Sequence, residues 1–343
     1  MLKNLGVKVR KVRESLRLTQ EQISKGTGLS SEFISLIEKG KRYPSLESLE
    51  KISNYLNKNI SFFLDDEPDP FEKIRKDKDT PKNILSELKT FEKYCRDYLN
   101  MEHILKSPLQ EAPLYSDTSP EIMAAQERQR LGLGIQPINN IFALLETKGL
   151  HILRQSLKKG THIAGAFVYY RVKQAGFALI NTNQSYSKQI ITAAHEYCHY
   201  LKDREFISIL DNPDIFVDDY LPLYPSRERF AHLFSLSFLI PDEQIKLFLN
   251  RLNKKSLTIE DIILLKRYLG MPILIVLKTL LKMKVISMSE YQEYKKQEYL
   301  DYEKSLFGYI KAEKDPWKRK TKVTPSDRYK TLAVQALKNQ EQT

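Results

Sequence analysis

The run "TAAHEYCHYLK" at 192–202 constrains this chain more than any other stretch, because it sets His195 and His199 four residues apart with Glu196 directly after the first. That spacing is chemically useful only on an α-helix, where residues i and i+4 stack one turn apart on one face. Ser185 or Ser187 can cap a helix through "KQIITAAHEYCHYLK", with Ile190, Ala194, Tyr197 and Leu201 as its buried stripe. Two imidazoles so placed reach one ion. A catalytic zinc takes three protein ligands and keeps a fourth position for water, and a glutamate in the place of Glu196 would take the proton from that water and pass it to a leaving amine. The plainer readings are a helix with two incidental histidines, or a metal site without catalysis. A third ligand decides between them.

One solution for the third ligand is a histidine six residues after the second, following a glycine. Those places hold Glu205 and Lys202, which excludes it. The other is a carboxylate from a downstream helix, and "SRERFAHLFSLSFLIP" at 226–241 offers Glu228, with His232 on the same helical face as an outer partner. Glu228 with Arg227 and Arg229 reads equally well as a solvated charge cluster.

A chain of 343 residues is too long for one ordinary core. Its longest apolar run, "MPILIVL" at 271–277, falls far short of the roughly 20 residues of a membrane span, and lysines at 278, 282 and 284 break up the residues beyond it. The start has charge but no apolar core of a signal peptide. Two cysteines, Cys95 and Cys198, make no disulfide framework, so a cytoplasmic location is expected. The net charge of +12 points to a polyanionic partner.

Residues 1–65 read as short helices separated by Gly and Ser/Thr signals, and "DDEPDPFEKIRKDKDTP" at 65–81 as a linker. An amphipathic connector helix comes next at about 82–105, so that 66–119 forms a linking region. From 120 to 343 helical patterns surround "GLHILRQSL", "GAFVYYRVK" and "GFALINTNQ", which read as antiparallel strands of a small sheet. An acidic loop is expected around 211–225, and "KDPWKRKTKVTPSDRYK" at 314–330 as a solvated basic segment.

Within the head, Thr19 stands where an N-cap would, Gly26 and Gly28 give a tight turn, Ser30 starts a second helix and Gly40 ends it. That is helix-turn-helix geometry, whose second helix presents its N-terminal residues to base edges. Residues 1–65 carry twelve Lys/Arg against seven Asp/Glu, an excess suited to DNA.

"LTQEQIS", "GLSSEFISLIEKGKRYPS" and "LEKISNYL" resemble the lambda-repressor-like (Cro/C1, XRE) family. The resemblance implies double-stranded DNA as partner, with contacts from Gln20, Ser31, Glu32 and Ser35 and phosphate contacts from Lys39, Lys41 and Arg42. A homodimer is the form expected, since one short recognition helix reads few base pairs.

Over about 120–340, the strand segments, "HEYCH" and the 226–241 segment, with Glu228, Ala231, Phe234, Leu239, Ile240 and Pro241 at matching places, resemble the ImmA/IrrE metallopeptidases. That resemblance implies Glu228 as third metal ligand beside His195 and His199, and Glu196 as catalytic base. Zinc is the expected metal, with manganese or iron as alternatives. The family's usual Asn is His232 here, either an outer group in its place or a competitor for the metal. Cys198 lies beside a ligand, as a thiolate or as a packed small residue.

The fold expected is mainly α with a small β-sheet: a lambda-repressor-like helical head plus an α+β, zincin-like metallopeptidase domain. The expected protein is a DNA-binding regulator whose metalloendopeptidase domain cuts a protein substrate, a repressor, on a stress or mobile-element signal. The alternatives are a regulator whose metal domain is an inactive sensor or dimer platform, and an antitoxin.

Overall fold

Two compact units, Met1–Asp69 and Pro70–Thr343, make up the computed structural model of the chain. It describes residues 5–341 except 59, 65–69, 77–81, 117, 137, 139, 159–160, 162, 207, 212–225, 255, 297–298 and 309–322. The expected acidic loop, the tryptophan-bearing half of the basic segment and most of the expected linker lie outside the described residues.

The first unit is five helices: α1 (Leu5–Ser15), α2 (Gln20–Thr27), α3 (Ser31–Glu38), α4 (Leu46–Tyr55) and α5 (Ile60–Leu64). Local chemistry sets the starts of the middle three. Thr19 makes a full capping box with Gln22, and Ser30 and Ser45 each accept a backbone N–H three residues on. Gly28 ends α2 at φ 73°, a left-handed position that glycine occupies without strain. Gly26 has a different reason: a Cβ there would stand 1.9 Å from the Tyr55 ring. Val9, Ile23, Ile34, Ile37, Leu49 and Ile52 close the core between the helices.

In the second unit α6 (Pro70–Lys76), α7 (Leu85–Ile104), α8 (Pro120–Arg130) and α9 (Ile141–Thr147) precede strands β1 (Leu150–Gln155), β2 (Gly165–Tyr170) and β3 (Ala175–Asn181). Helix α10 (Tyr186–Lys202) and strand β4 (Ser208–Asp211) come next. Helices α11 (Ser226–Leu239), α12 (Asp242–Leu252), α13 (Ile259–Leu269), α14 (Ile273–Lys282), α15 (Met288–Lys296) and α16 (Tyr299–Phe307) succeed them, then β5 (Val323–Pro325) and α17 (Asp327–Glu341).

The five strands lie in the order β4-β2-β3-β1-β5. The sheet is mixed, which corrects the expectation of antiparallel strands: β2 and β3 form an antiparallel hairpin, but β1 runs parallel to β3, with His151 beside Phe177. The reason is that β3, not β2, takes the place beside β1, so the β1–β2 connection passes over one strand position. Pairing order is set by such long-range placement and leaves no mark on the local pattern.

β1 and β3 are buried along their whole length, and β2 all but its last residue, because helices cover both faces of the sheet. Ile152, Phe167, Ala178 and Ile180 face a large core with α8, α9, α10, α11 and α14. Leu153, Ala166, Val168, Phe177 and Leu179 face a second core with Phe71 of α6, Leu88, Phe91 and Tyr98 of α7 and Leu332 of α17. The period-2 alternation therefore separates two cores, with no solvated face.

Candidate metal centre and nucleic-acid interface

Helix α10 begins where Ser185 accepts the Lys188 backbone N–H, and from Gln189 to Leu201 every residue is buried. A single buried stripe was expected. The helix is instead enclosed on all sides by the sheet, α9, α11 and α14, so its polar side chains must find partners within the protein. Helix α11 packs along it through Phe238, whose ring lies 5.5 Å from that of Tyr197 and stacks on Phe234 at 5.3 Å. That packing fixes the first turn of α11 beside the two histidines.

Here the sequence candidates converge. His195 Nε2 and His199 Nε2 are 3.1 Å apart, and Glu228 Oε2 stands 3.1 Å from the first and 3.3 Å from the second. All three residues are buried, and they form the one group of three or more His, Cys, Asp or Glu suited to holding a metal ion among the described residues. Four ligands at about 2.1 Å in a tetrahedron stand about 3.4 Å from each other, close to the separations seen.

The donor set fits a cation on chemical grounds as well. Asp203 Oδ2 lies 2.7 Å from His199 Nδ1. An ionised carboxylate only accepts, so Nδ1 carries the hydrogen and Nε2 turns a bare lone pair toward the other two atoms. Two imidazole nitrogens and a carboxylate oxygen facing one another form an electron-rich pocket that a divalent cation complements. The other oxygen of Glu228 accepts from Arg227 Nε at 3.1 Å, and the Arg227 guanidinium lies on the Phe206 ring at 4.3 Å. Arg227 thereby orients the carboxylate.

Glu196 is fully buried, and what admits its carboxylate is Gly165, the first residue of β2. A Cβ at 165 would fall 2.2 Å from Glu196 Oε1 and 2.6 Å from Thr192 Cγ2. Glu196 directly follows His195 in the chain, and a buried carboxylate can act as a proton acceptor. His232, one turn after Glu228, is also buried, but is not one of the three residues whose ligand atoms converge. Cys198 is fully buried, and burial pushes its thiol well above the ordinary range, as for a packed small residue.

Three residues given roles at this site were not candidates from the sequence, Arg227 having been read only as part of a charge cluster. Asp203 stands four residues after His199, at helical spacing, so its signal was available. Gly165 carries none, because its contact with Glu196 is created only by the strand lying against α10.

In the head, Ser31 and Glu32 form the first turn of α3, with Ser35 one turn on from Ser31; Glu32 is exposed and the two serines half-buried. Lys39, Lys41 and Arg42 come after α3 in the exposed turn, and the Arg42 guanidinium lies 4.8 Å from the Phe33 ring centre. Gln20, at the start of α2, donates to Glu38 Oε2 at 2.7 Å, and Arg13 binds the same carboxylate through two nitrogens at 2.6 and 3.0 Å. The two helices of the motif are therefore tied end to end through Glu38.

Comparison with known proteins agrees with both units. Residues 9–63 match the helix-turn-helix family. Residues 145–281, from the end of α9 through α14, match the IrrE N-terminal-like domain of the M78 peptidases, a stretch that holds His195, Glu196, His199 and Glu228. An uncharacterized HTH-type transcriptional regulator of Archaeoglobus fulgidus is 36% identical over 67 residues, which are 19% of this chain and 94% of that protein.

Proposed function

We propose that this chain, which belongs to the HTH-type regulators through its head and carries an IrrE N-terminal-like domain of the M78 peptidase family, is a metal-dependent endopeptidase directed by DNA binding. The observation that carries the reading is the convergence of His195, His199 and Glu228 within 3.3 Å of one another, on the helix that also carries the buried Glu196. The substrate is a protein of repressor type, cut on a stress or mobile-element signal. The head either recruits the peptidase to the repressor's operator or makes the chain its own target.

His195, His199 and Glu228 would hold the ion, zinc with manganese or iron as alternatives. When bound, such an ion supplies Lewis acidity to a water and to the scissile carbonyl. Glu196 would serve as the base that takes a proton from a water and passes it to the leaving amine. Asp203 holds the His199 tautomer and Arg227 holds the Glu228 carboxylate. Gln20, Ser31, Glu32 and Ser35 face the bases, and Lys39, Lys41 and Arg42 the phosphates. The action is cytoplasmic, and a homodimer presents two recognition helices.

The test compares wild type with Glu196→Gln in cells expressing either form, by mapping new protein termini, alongside the metal content of both purified proteins. Termini in a repressor-type protein that appear only with wild type, at equal metal content, are the expected outcome. The same termini with Glu196→Gln would refute the catalytic reading.

A further inference from the structure

The DNA-binding role of the head, on which this inference rests, leaves open which bases α3 selects. The helix reads SEFISLIE, without any of the Arg, Lys, Asn or Gln side chains that make two-point hydrogen bonds to guanine or adenine. Ile34 and Ile37 are core, and Glu38 is buried on Arg13 and Gln20. Phe33 packs against the core and lies under the Arg42 guanidinium. That leaves Ser31, Glu32, Ser35 and Leu36. A serine hydroxyl both donates and accepts, so the two serines suit any base. Discrimination therefore falls to Glu32 and Leu36.

Glu32 is exposed in the first turn of α3 and makes no ion pair among the described residues. Leu36 follows it by four residues, so the two side chains share one face of the helix. Leu36 is only half-buried, and among the described residues it belongs neither to the core of the head nor to the half-buried residues packed against that core. Its carbonyl accepts the backbone N–H groups of Lys41 and Arg42 at 2.9 and 3.2 Å. The turn that carries the expected phosphate contacts is thus anchored on the residue whose apolar side chain is left over.

A carboxylate only accepts hydrogen bonds. In the major groove guanine offers acceptors, thymine an acceptor beside its methyl, and adenine a donor beside an acceptor; cytosine alone offers a donor with no acceptor next to it. Leucine brings no hydrogen-bonding group and complements the thymine methyl. Four residues rise about 6 Å along the helix, within two base-pair steps of about 3.4 Å each. We infer that Glu32 selects a cytosine in each half-site of the operator, and Leu36 a thymine within two base pairs of it. Phosphates repel the Glu32 side chain, so it also weakens binding to every site that lacks the cytosine donor.

The test is selection of binding sites by the full chain from duplex DNA of randomised sequence. Wild type is expected to enrich half-sites with a constant cytosine, and Glu32→Gln to exchange it for adenine, whose N6 and N7 a glutamine bonds together. Adenine at that place should weaken wild-type binding at least about fivefold by fluorescence anisotropy. Glu32→Ala is expected to bind random-sequence duplex more tightly, a gain that a damaged fold would not produce. Replacing the selected thymine by deoxyuridine removes only the methyl, and should cost wild type about threefold and Leu36→Ala nothing. The wild-type measurement alone decides the role of Leu36 should that variant fail to fold. The same cytosine selected by Glu32→Gln would overturn the role of Glu32, and unchanged wild-type affinity for the deoxyuridine site that of Leu36. An enriched sequence without the cytosine would overturn the inference alone, whereas no enriched sequence with wild type would overturn it together with the DNA-binding role of the head.

Discussion

Replacing Asp203 by Asn probes the metal centre without touching any of its three converging residues. The carboxylate is 6% exposed and lies 2.7 Å from His199 Nδ1, which leaves the Nε2 lone pair facing His195 and Glu228. Asparagine can present its oxygen, keeping the tautomer but losing the charge that makes the imidazole a better donor. It can instead present its NH₂, which draws the lone pair to Nδ1 and puts the hydrogen on Nε2, where a metal should bind. Carboxylates behind a metal-binding histidine typically contribute 10–100-fold in affinity, about 1.4–2.8 kcal/mol. Burial of Asp203 limits replacement by water, so the upper part of that range, about 30–100-fold, is expected. The assay is competition for zinc against a chromophoric chelator, with thermal unfolding of the metal-free proteins as the control for folding. Affinity within about threefold of wild type, while Glu228→Ala abolishes binding, would show that His199 is not held as argued.

Three further outcomes are expected from the same structure. Gly165→Ala asks the Glu196 carboxylate to retreat from a 2.2 Å approach, and cleavage should fall about 100-fold at unchanged metal content; wild-type cleavage would show that the close approach is immaterial. Lys41→Ala and Arg42→Ala should each reduce the slope of log affinity for DNA against log salt by about 1, measured by fluorescence anisotropy, and an unchanged slope removes the residue from the phosphate contacts. Arg328→Met removes a 2.6 Å ion pair to the buried Glu102, which also meets His151 Nε2 at 3.1 Å, and should cost about 2 kcal/mol in denaturant unfolding. Burial alone would raise the Glu102 carboxyl, but its bonds to His151 and Arg328 outweigh that and hold it below the ordinary range. Its stabilisation is therefore present above the ordinary carboxylate pKa and lost as pH falls through the lowered one, so the gap between wild type and Arg328→Met should close in acid.

What was legible in the sequence was whatever repeats within a turn or two. The spacing of His195 and His199, the Ser185 cap, the Thr19 and Ser30 caps and the helical register of Glu228 are all local, and the structure has the corresponding helices. Family resemblance, not spacing, singled out Glu228 from its arginine neighbours. What was not legible depends on elements far apart in the chain. The parallel β1–β3 pairing, the close approach of Gly165 to Glu196 and the partners of α7 arise only when the sheet is assembled. Enclosure of α10 was hidden for a related reason: a helix carrying histidines, a glutamate and tyrosines looks amphipathic until polar partners from other elements are in place.

The last strand gives the sheet a timing problem. β5 pairs antiparallel with β1, Leu153 against Pro325, across about half the chain. A ribosome adding about 5–20 residues per second needs roughly 10–35 s to cover that separation, and through that interval the β1 edge has no native partner. An open edge recruits other strands, so slow synthesis or a truncated product should raise aggregation before it affects the head, which is made early and folds on local contacts. In a crowded cell, the yield of active protein would then depend on how fast the far end of the chain is made.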